Sequence, residues 1–337
     1  MRGLRPCDSR PRVSRRRVLR TLGSAGIVGL AGCGTETATD PGTPAPDDDG
    51  SAGTDSGAED PESGPTEDDS TADPPVANAR PRLDAIDLWT APHSATFAET
   101  AALIEAANDD VLTLSREIAV GDLLVGQIEA EGVYDYLYSD PDRQTLNRDQ
   151  GLRFEIRPRT GTSLIEGDSP TIADATHDAV RFLSDPDGGN VFVLVDTGTL
   201  RETSDLNAGA TYEVEFAVLG DDHAQLEADE SMGVWHEFDL VDRSITAVGE
   251  YDDRGRLRVP ADPNATATWE TTVAPATGVE ITTRDGPTAQ AETTVEMDGK
   301  IIADLDLSSG TIGEAFELVA RESGGASEAT TAILVEP

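Results

Sequence analysis

Residues 293–307 read TTVEMDGKIIADLDL. Asp298-Gly299 supplies the positive φ angles that a tight two-residue turn demands. Beyond it Ile301, Ala303, Leu305 and Leu307 share one face of an alternating strand, with Val295 and Met297 available opposite. The pattern predicts a β-hairpin. Runs of the same period lie around it, at 266–273 (TATWETTV), 278–284 (GVEITTR), 316–323 (FELVARES) and 330–336 (TTAILVE). Their spacing is that of an all-β sandwich.

Upstream the text is again strand-rich. Tyr212, Val214, Phe216 and Val218 alternate with polar or small residues, as do Phe154 and Ile156 in GLRFEIRP. The run NVFVLVD (190–196) is apolar on both faces and suits a central strand, and SDPDGGN just before it reads as a hairpin loop. Turn chemistry accounts for Asp185 and Asp187 there more simply than cation binding. One helix is predicted over 94–108 (SATFAETAALIEAAN), with Ser94 as cap and Phe97, Ala101 and Ile104 on its buried face. Two sandwich modules are expected, 80–243 carrying the helix and 244–337, and periodicity discloses no internal repeat.

The beginning of the chain is an address. Residues 14–33 read SRRRVLRTLGSAGIVGLAGC, and the uncharged middle is too short to span about 30 Å of hydrocarbon. Arg15 and Arg16 sit in an order resembling the twin-arginine export signal, and 30–33 (LAGC) resembles a lipoprotein processing box. Residues 1–32 are then a signal peptide, and Cys33 is the lipidated N-terminus holding the chain to the extracellular face of the cytoplasmic membrane. An ordinary cleaved signal followed by a chance cysteine is the alternative. Residues 34–79 contain no aromatic residue, lysine, arginine, leucine, isoleucine or methionine. Such a segment cannot offset its ordering entropy. Residues 33–79 are expected to be a disordered acidic linker, spanning about 37 Å as a flexible coil.

The 337-residue chain carries a formal charge of −40, and Lys300 is its only lysine. Removing residues 1–32 takes away eight arginines and one aspartate, which makes the remainder more acidic still. Self-repulsion of this size opposes compaction in dilute buffer. At molar salt the Debye length falls to about 3 Å and most of the repulsion vanishes. Acidic surface, abundant threonine and near-absence of lysine together read as a halophile's protein. Nucleic acid is excluded as a partner, because no basic patch is left to neutralise phosphates. The two cysteines are Cys7 and Cys33, so no disulfide is available to the modules.

No catalytic motif emerges. His93, His177, His223 and His236 fall in no zinc-binding spacing, and no nucleophile elbow or phosphate-binding loop is present. His236, in Trp235-His236-Glu237, reads as a solvated strand position. Calcium is the one cofactor candidate, through Asp221-Asp222 or Asp252-Asp253 at loop tips. Hydrated surface carboxylates explain these residues more simply, so no cofactor is expected. Asn264-Ala265-Thr266 is the sole N-x-S/T sequon and a candidate glycosylation site.

Three phrases carry a family resemblance: IAVGDLLVGQIEAEGV (118–133), VLVDTGTL (193–200) and GATYEVEFAV (209–218). They resemble haloarchaeal surface-glycoprotein domains, and the stretch from PATGVEITTRDG onward looks like the immunoglobulin-like module that often follows them. The resemblance implies stacked β modules with assembly, adhesion or other envelope roles and brings no catalytic residues. Many such proteins are held by a C-terminal segment; here the lipobox is expected to replace it. The expected function is a lipid-anchored, non-enzymatic surface protein that meets the twin-arginine machinery during export and envelope proteins or glycans afterwards. A solute-binding lipoprotein of a transporter and an extracellular polysaccharide hydrolase are the alternatives.

Overall fold

The computed structural model describes residues 80–140, 143–146, 151–159, 170–223 and 225–337. Arg15, Arg16, Cys33 and the acidic linker lie outside the described residues.

The first module opens with β1 (Arg82–Ala91), α1 (Thr100–Asn108), β2 (Thr113–Leu114), β3 (Glu117–Ala119) and β4 (Leu123–Glu131). A small hairpin follows, β5 (Leu137–Asp140) and β6 (Arg143–Leu146), then β7 (Leu152–Pro158) and β8 (Ala173–Asp174). The module closes with β9 (Val180–Asp185), β10 (Asn190–Asp196), α2 (Thr197–Thr203), β11 (Thr211–Val218) and β12 (Met232–Val241). Its two sheets run β2-β1-β4-β10-β9 and β3-β12-β11-β7-β8.

The second module contains β13 (Ile245–Val248), β14 (Leu257–Pro260), β15 (Ala265–Thr271), β16 (Gly278–Arg284) and β17 (Gln290–Thr294). It ends with β18 (Lys300–Leu305), β19 (Ala315–Glu322) and β20 (Ser327–Val335). Its sheets run β13-β15-β18 and β14-β20-β19-β16-β17. Each module has its own apolar cluster, one built on Phe154, Phe182, Phe216 and Phe238, the other on Trp269, Ile281, Ile301 and Leu318.

The two strand orders superimpose. β1, β4 and β10 correspond to β13, β15 and β18, while β3-β12-β11-β7-β8 corresponds to β14-β20-β19-β16-β17. In both modules the last strand pairs in parallel with a short early one, β12 with β3 and β20 with β14. This is the immunoglobulin-like arrangement, and the first module extends it with β9. The chain therefore holds an internal repeat of topology that its periodicity did not disclose. Tyr212, near the start of β11, completes the likeness as a tyrosine corner. Its hydroxyl accepts from the Asn207 amide at 2.6 Å and donates to the Asn207 carbonyl at 3.2 Å.

The hairpin expected at 293–307 is corrected. Its turn exists, with the Gly299 amide bonded to the Glu296 carbonyl at 3.0 Å and φ of 77° at Gly299. The arms do not form one ladder, because β17 pairs with β16 in one sheet and β18 with β15 in the other. At Val295 the chain turns inward, exchanging hydrogen bonds with Ala276 and Thr277. The turn is thus a corner between sheets, and it leaves Met297 exposed.

The helix also starts later than its pattern predicted. α1 begins at Thr100 with Glu99 at the cap position and no side-chain cap, so Ser94 plays no capping part. Phe97 is buried ahead of the helix, its carbonyl bonded by Arg181, and the buried helical residues are Leu103 and Ala106 rather than Ala101 and Ile104. α1 packs beside β9 on the outer face of the first sheet. There Trp89, Val125, Leu183, Phe192 and Leu194 are buried although they point away from the sandwich core. That second apolar layer explains why NVFVLVD lacks a polar face.

Without a disulfide, stability rests on burial and a few internal hydrogen bonds. Tyr212→Phe is expected to cost about 1 kcal/mol, and Phe216→Ala about 3–5 kcal/mol. Both are read from denaturant midpoints in molar KCl. A Tyr212→Phe midpoint equal to wild type would remove the corner from the fold's supports.

Candidate functional site

Arg243 lies between the end of β12 and the start of β13 and reaches both modules. Its Nη1 donates to the Val120 carbonyl at 3.0 Å and to Asp122 Oδ1 at 2.8 Å. Its Nε and Nη2 donate to the two oxygens of Glu322, at 2.9 and 3.2 Å. Asp122, on the β3–β4 turn, spends its second oxygen on the Ala274 amide of the β15–β16 loop, 2.7 Å away. Glu322, at the end of β19, also accepts from the amides of Gly324 and Ala326. Both carboxylates are fully buried, and Arg243 is 12% exposed.

Local sequence makes this approach possible. A Cβ on Gly324 would lie 2.6 Å from Arg243 Nη2, and one on Gly121 only 3.1 Å from Nη1. Gly121 has φ of 91°, which favours glycine in any case. The electrostatics differ between the two acids. Burial dominates at Asp122 and keeps its pKa raised, although Arg243 and the Ala274 amide pull it down. Burial also raises Glu322, but its bonds to Arg243, Ala326 and Gly324 together outweigh it, and its pKa is lowered.

A polar cleft of about 290 Å³ lies beside this clamp, between Thr90, Thr113 and Leu114 on one side and Thr271, Thr272 and Met297 on the other. The hydroxyls of Thr90 and Thr113 are buried there without a protein partner. Hydroxyls in a space of that size suit ordered water.

The residues singled out by sequence stand apart from one another. Asn264 is exposed in the turn before β15, with its amide on Asp262 and Thr266 Oγ1 donating to Asp304 at 2.9 Å. Asp252 is already engaged by Arg256 and by the amides of Arg254 and Arg256, with the Arg256 bond foremost in holding its pKa down to about 2. Asp221 and Asp222 are exposed. His223 is buried edge-on to the Tyr136 ring, and burial lowers its pKa. His177 lies near Thr203 and Ser204. His236 is half-buried rather than solvated. Among the described residues no three His, Cys, Asp or Glu side chains gather into a metal cluster.

Sequence reasoning missed Arg243, Asp122 and Glu322. Asp122 had a signal, since it is the single charge in the apolar run IAVGDLLVG.

Arg243→Ala leaves two buried carboxylates uncompensated and is expected to cost about 3–5 kcal/mol at neutral pH. In the wild type, Asp122 stability fades as pH rises through its folded pKa, and Glu322 stability is lost as pH falls through its own. Without Arg243 both acids keep their burial penalty and both pKa values rise, so protonation relieves the variant. The deficit against wild type should therefore narrow from about pH 7 to about pH 4 in denaturant titrations. A pH-independent deficit would overturn the ionised clamp.

No family model matches the chain. Among solved structures it is similar to the D0-D1 domain of intimin, at 12% identity and a TM-score of 0.20 over 65% of this chain and 95% of that one. It is also similar to a Dpr2 Ig1-Ig2 complex with DIP-Theta Ig1-Ig3, at 7% identity and a TM-score of 0.22 over 66% and 94%. Among curated proteins it is 28% identical over 269 residues to the cell surface glycoprotein of Haloferax gibbonsii, covering 73% of this chain and 30% of that protein. Cell surface glycoprotein 1 of Haloarcula hispanica is 25% identical over 285 residues, covering 73% and 29%. The chain thus spans about three tenths of the length of these relatives, and it is related in sequence to haloarchaeal cell surface glycoproteins.

Proposed function

We propose that this chain is a non-enzymatic protein of the extracellular surface of a halophilic archaeon, exported through a twin-arginine signal and lipid-anchored at Cys33. In this reading two immunoglobulin-like modules stand off the membrane on an acidic tether and serve packing or adhesion in the envelope. The relation to haloarchaeal cell surface glycoproteins is the observation that carries it. The Arg243 clamp supports it, because a buried bidentate contact ties the two modules to each other. Strand order supports a binding or packing scaffold over solute capture, since solute-binding lobes are built from repeated βαβ units. Among the described strands the only parallel pairings are the short β3–β12 and β14–β20 contacts.

The anchor rests on the sequence alone and is tested directly. Cys33→Ser should move the protein from the membrane fraction into the medium or leave it unprocessed. Arg15→Lys combined with Arg16→Lys should leave it inside the cell. A lipid chain contributes about 0.8 kcal/mol per buried CH₂, so its loss should be plain in fractionation. Unchanged membrane retention of Cys33→Ser would end the lipoprotein reading.

A further inference from the structure

The outer face of the sheet containing β7, β11 and β12 is unlike the rest of this acidic surface. Three rows cross it in register: Arg153–Ala217–Gly233, Glu155–Glu215–Trp235 and Arg157–Glu213–Glu237. Arg153 Nη2 bonds Glu215 Oε1 at 2.9 Å, Arg157 lies between Glu155 and Glu215, and Arg159 pairs with Glu237. The acids of this face are thus largely matched by guanidinium groups. Trp235 stands out of it 58% exposed, whereas Trp89 and Trp269 are buried. Gly233, two residues before it on the same face of β12, carries no side chain.

A shallow pocket of about 280 Å³ opens at Trp235 and is lined by Arg116, Trp235, His236 and Glu237. Arg116 is pinned beside β12 through its carbonyl, which accepts from the Asp239 amide at 2.7 Å. Its exposed guanidinium has no ion-pair partner among the described residues. Glu237 is already paired with Arg159. His236 Nδ1 lies 2.9 Å from the Glu237 carbonyl, which can only accept, so Nδ1 carries the proton and Nε2 is the acceptor of the neutral ring. Burial, with the Arg116 charge second, lowers the His236 pKa and favours that neutral form.

The pocket is therefore lined by an indole, a free guanidinium and a carboxylate from the outer side, with the neutral imidazole of His236 reaching it from the opposite side of β12. An indole stacks on the apolar face of a pyranose ring. A guanidinium holds a carboxylate by paired, charge-assisted bonds. Short-range bonds and stacking survive the screening of molar salt, which removes longer-range attraction. We propose that Trp235, Arg116, His236 and Glu237 bind a glycan residue bearing a carboxylate, with Trp235 as the stacking platform and Arg116 as the carboxylate receptor. The inference rests on the envelope reading only for where such a glycan would be met.

The test uses the full chain in molar KCl, with trigalacturonate as the acidic probe and maltotriose as the neutral one. Trp235 is the one strongly exposed indole, so binding should shift emission to the blue and protect it from iodide quenching. Trigalacturonate is expected to bind at least roughly tenfold tighter than maltotriose. Read by titration calorimetry, which does not need the indole as reporter, Trp235→Ala should abolish binding of both sugars, and Arg116→Gln should remove the preference for the acidic one. Arg201→Gln, at an exposed arginine elsewhere, should change nothing. Trp235 and Arg116 are exposed, so unfolding midpoints of their variants should match wild type. Absence of protection by either sugar overturns the site, and equal binding of both sugars overturns the role of Arg116. Neither result bears on the anchor, which is read separately by fractionation of Cys33→Ser.

Discussion

One guanidinium decides how the two modules meet. Arg243 joins the β3–β4 turn of one module to the end of β19 in the other, and Asp122 carries the connection on to the β15–β16 loop. A planar fork fixes direction as well as distance, which a lysine ammonium cannot do. An apolar plug of similar volume could hold the same surfaces together with equal stability. It would not fix the angle between them. Burial also separates this contact from the surface pairs. Arg82–Asp84 and Lys300–Asp298 stand in solvent, where water competes for single contacts and side-chain entropy leaves them little net strength, whereas the clamp is buried and bidentate.

With orientation fixed by charge, internal stability falls to apolar packing. The cysteines of the chain are both near its start, so neither module can use the inter-sheet disulfide known from antibody domains. Large side chains and the Tyr212 corner take its place in the first module, and a fully buried Trp269 fills the second. The first module also covers one sheet with α1. Its other sheet is thereby left as the broad open face, which is where Trp235 stands.

The strands were largely legible, and their partners were not. Period-2 alternation fixes which residues face a core, and Tyr212, Val214, Phe216 and Val218 are all buried. Alternation says nothing about which sheet a strand joins. Asp298-Gly299 reads the same whether it closes a hairpin or turns a corner, and it is the backbone bonding of Val295 to Ala276 and Thr277 that selects the corner. The repeat was hidden for a related reason, because what the two modules share is strand order, which alternation does not record. α1 was misplaced at its start because Phe97 is buried ahead of the helix, where Arg181 of β9 bonds its carbonyl, and not by helix periodicity. The clamp was least legible of all. Its members are far apart in sequence, and in a chain with 65 acidic residues an aspartate and a glutamate attract no notice. Asp122 alone broke an apolar pattern.

Charge also constrains where such a molecule can make contacts. Two surfaces that both carry excess carboxylate repel at short range even in brine, once water and counter-ions are squeezed from between them. Contact is easiest where the protein has already matched its own acids. The Arg153–Glu215–Arg157 grid is such a place, and Trp235 projects from its edge beside an unpaired Arg116. An exposed indole is salted out more strongly as ionic strength rises. Its presence on a surface shaped by brine is therefore a cost that burial against a ligand would offset, and the largely charge-matched sheet face around it is the ground on which that ligand can approach.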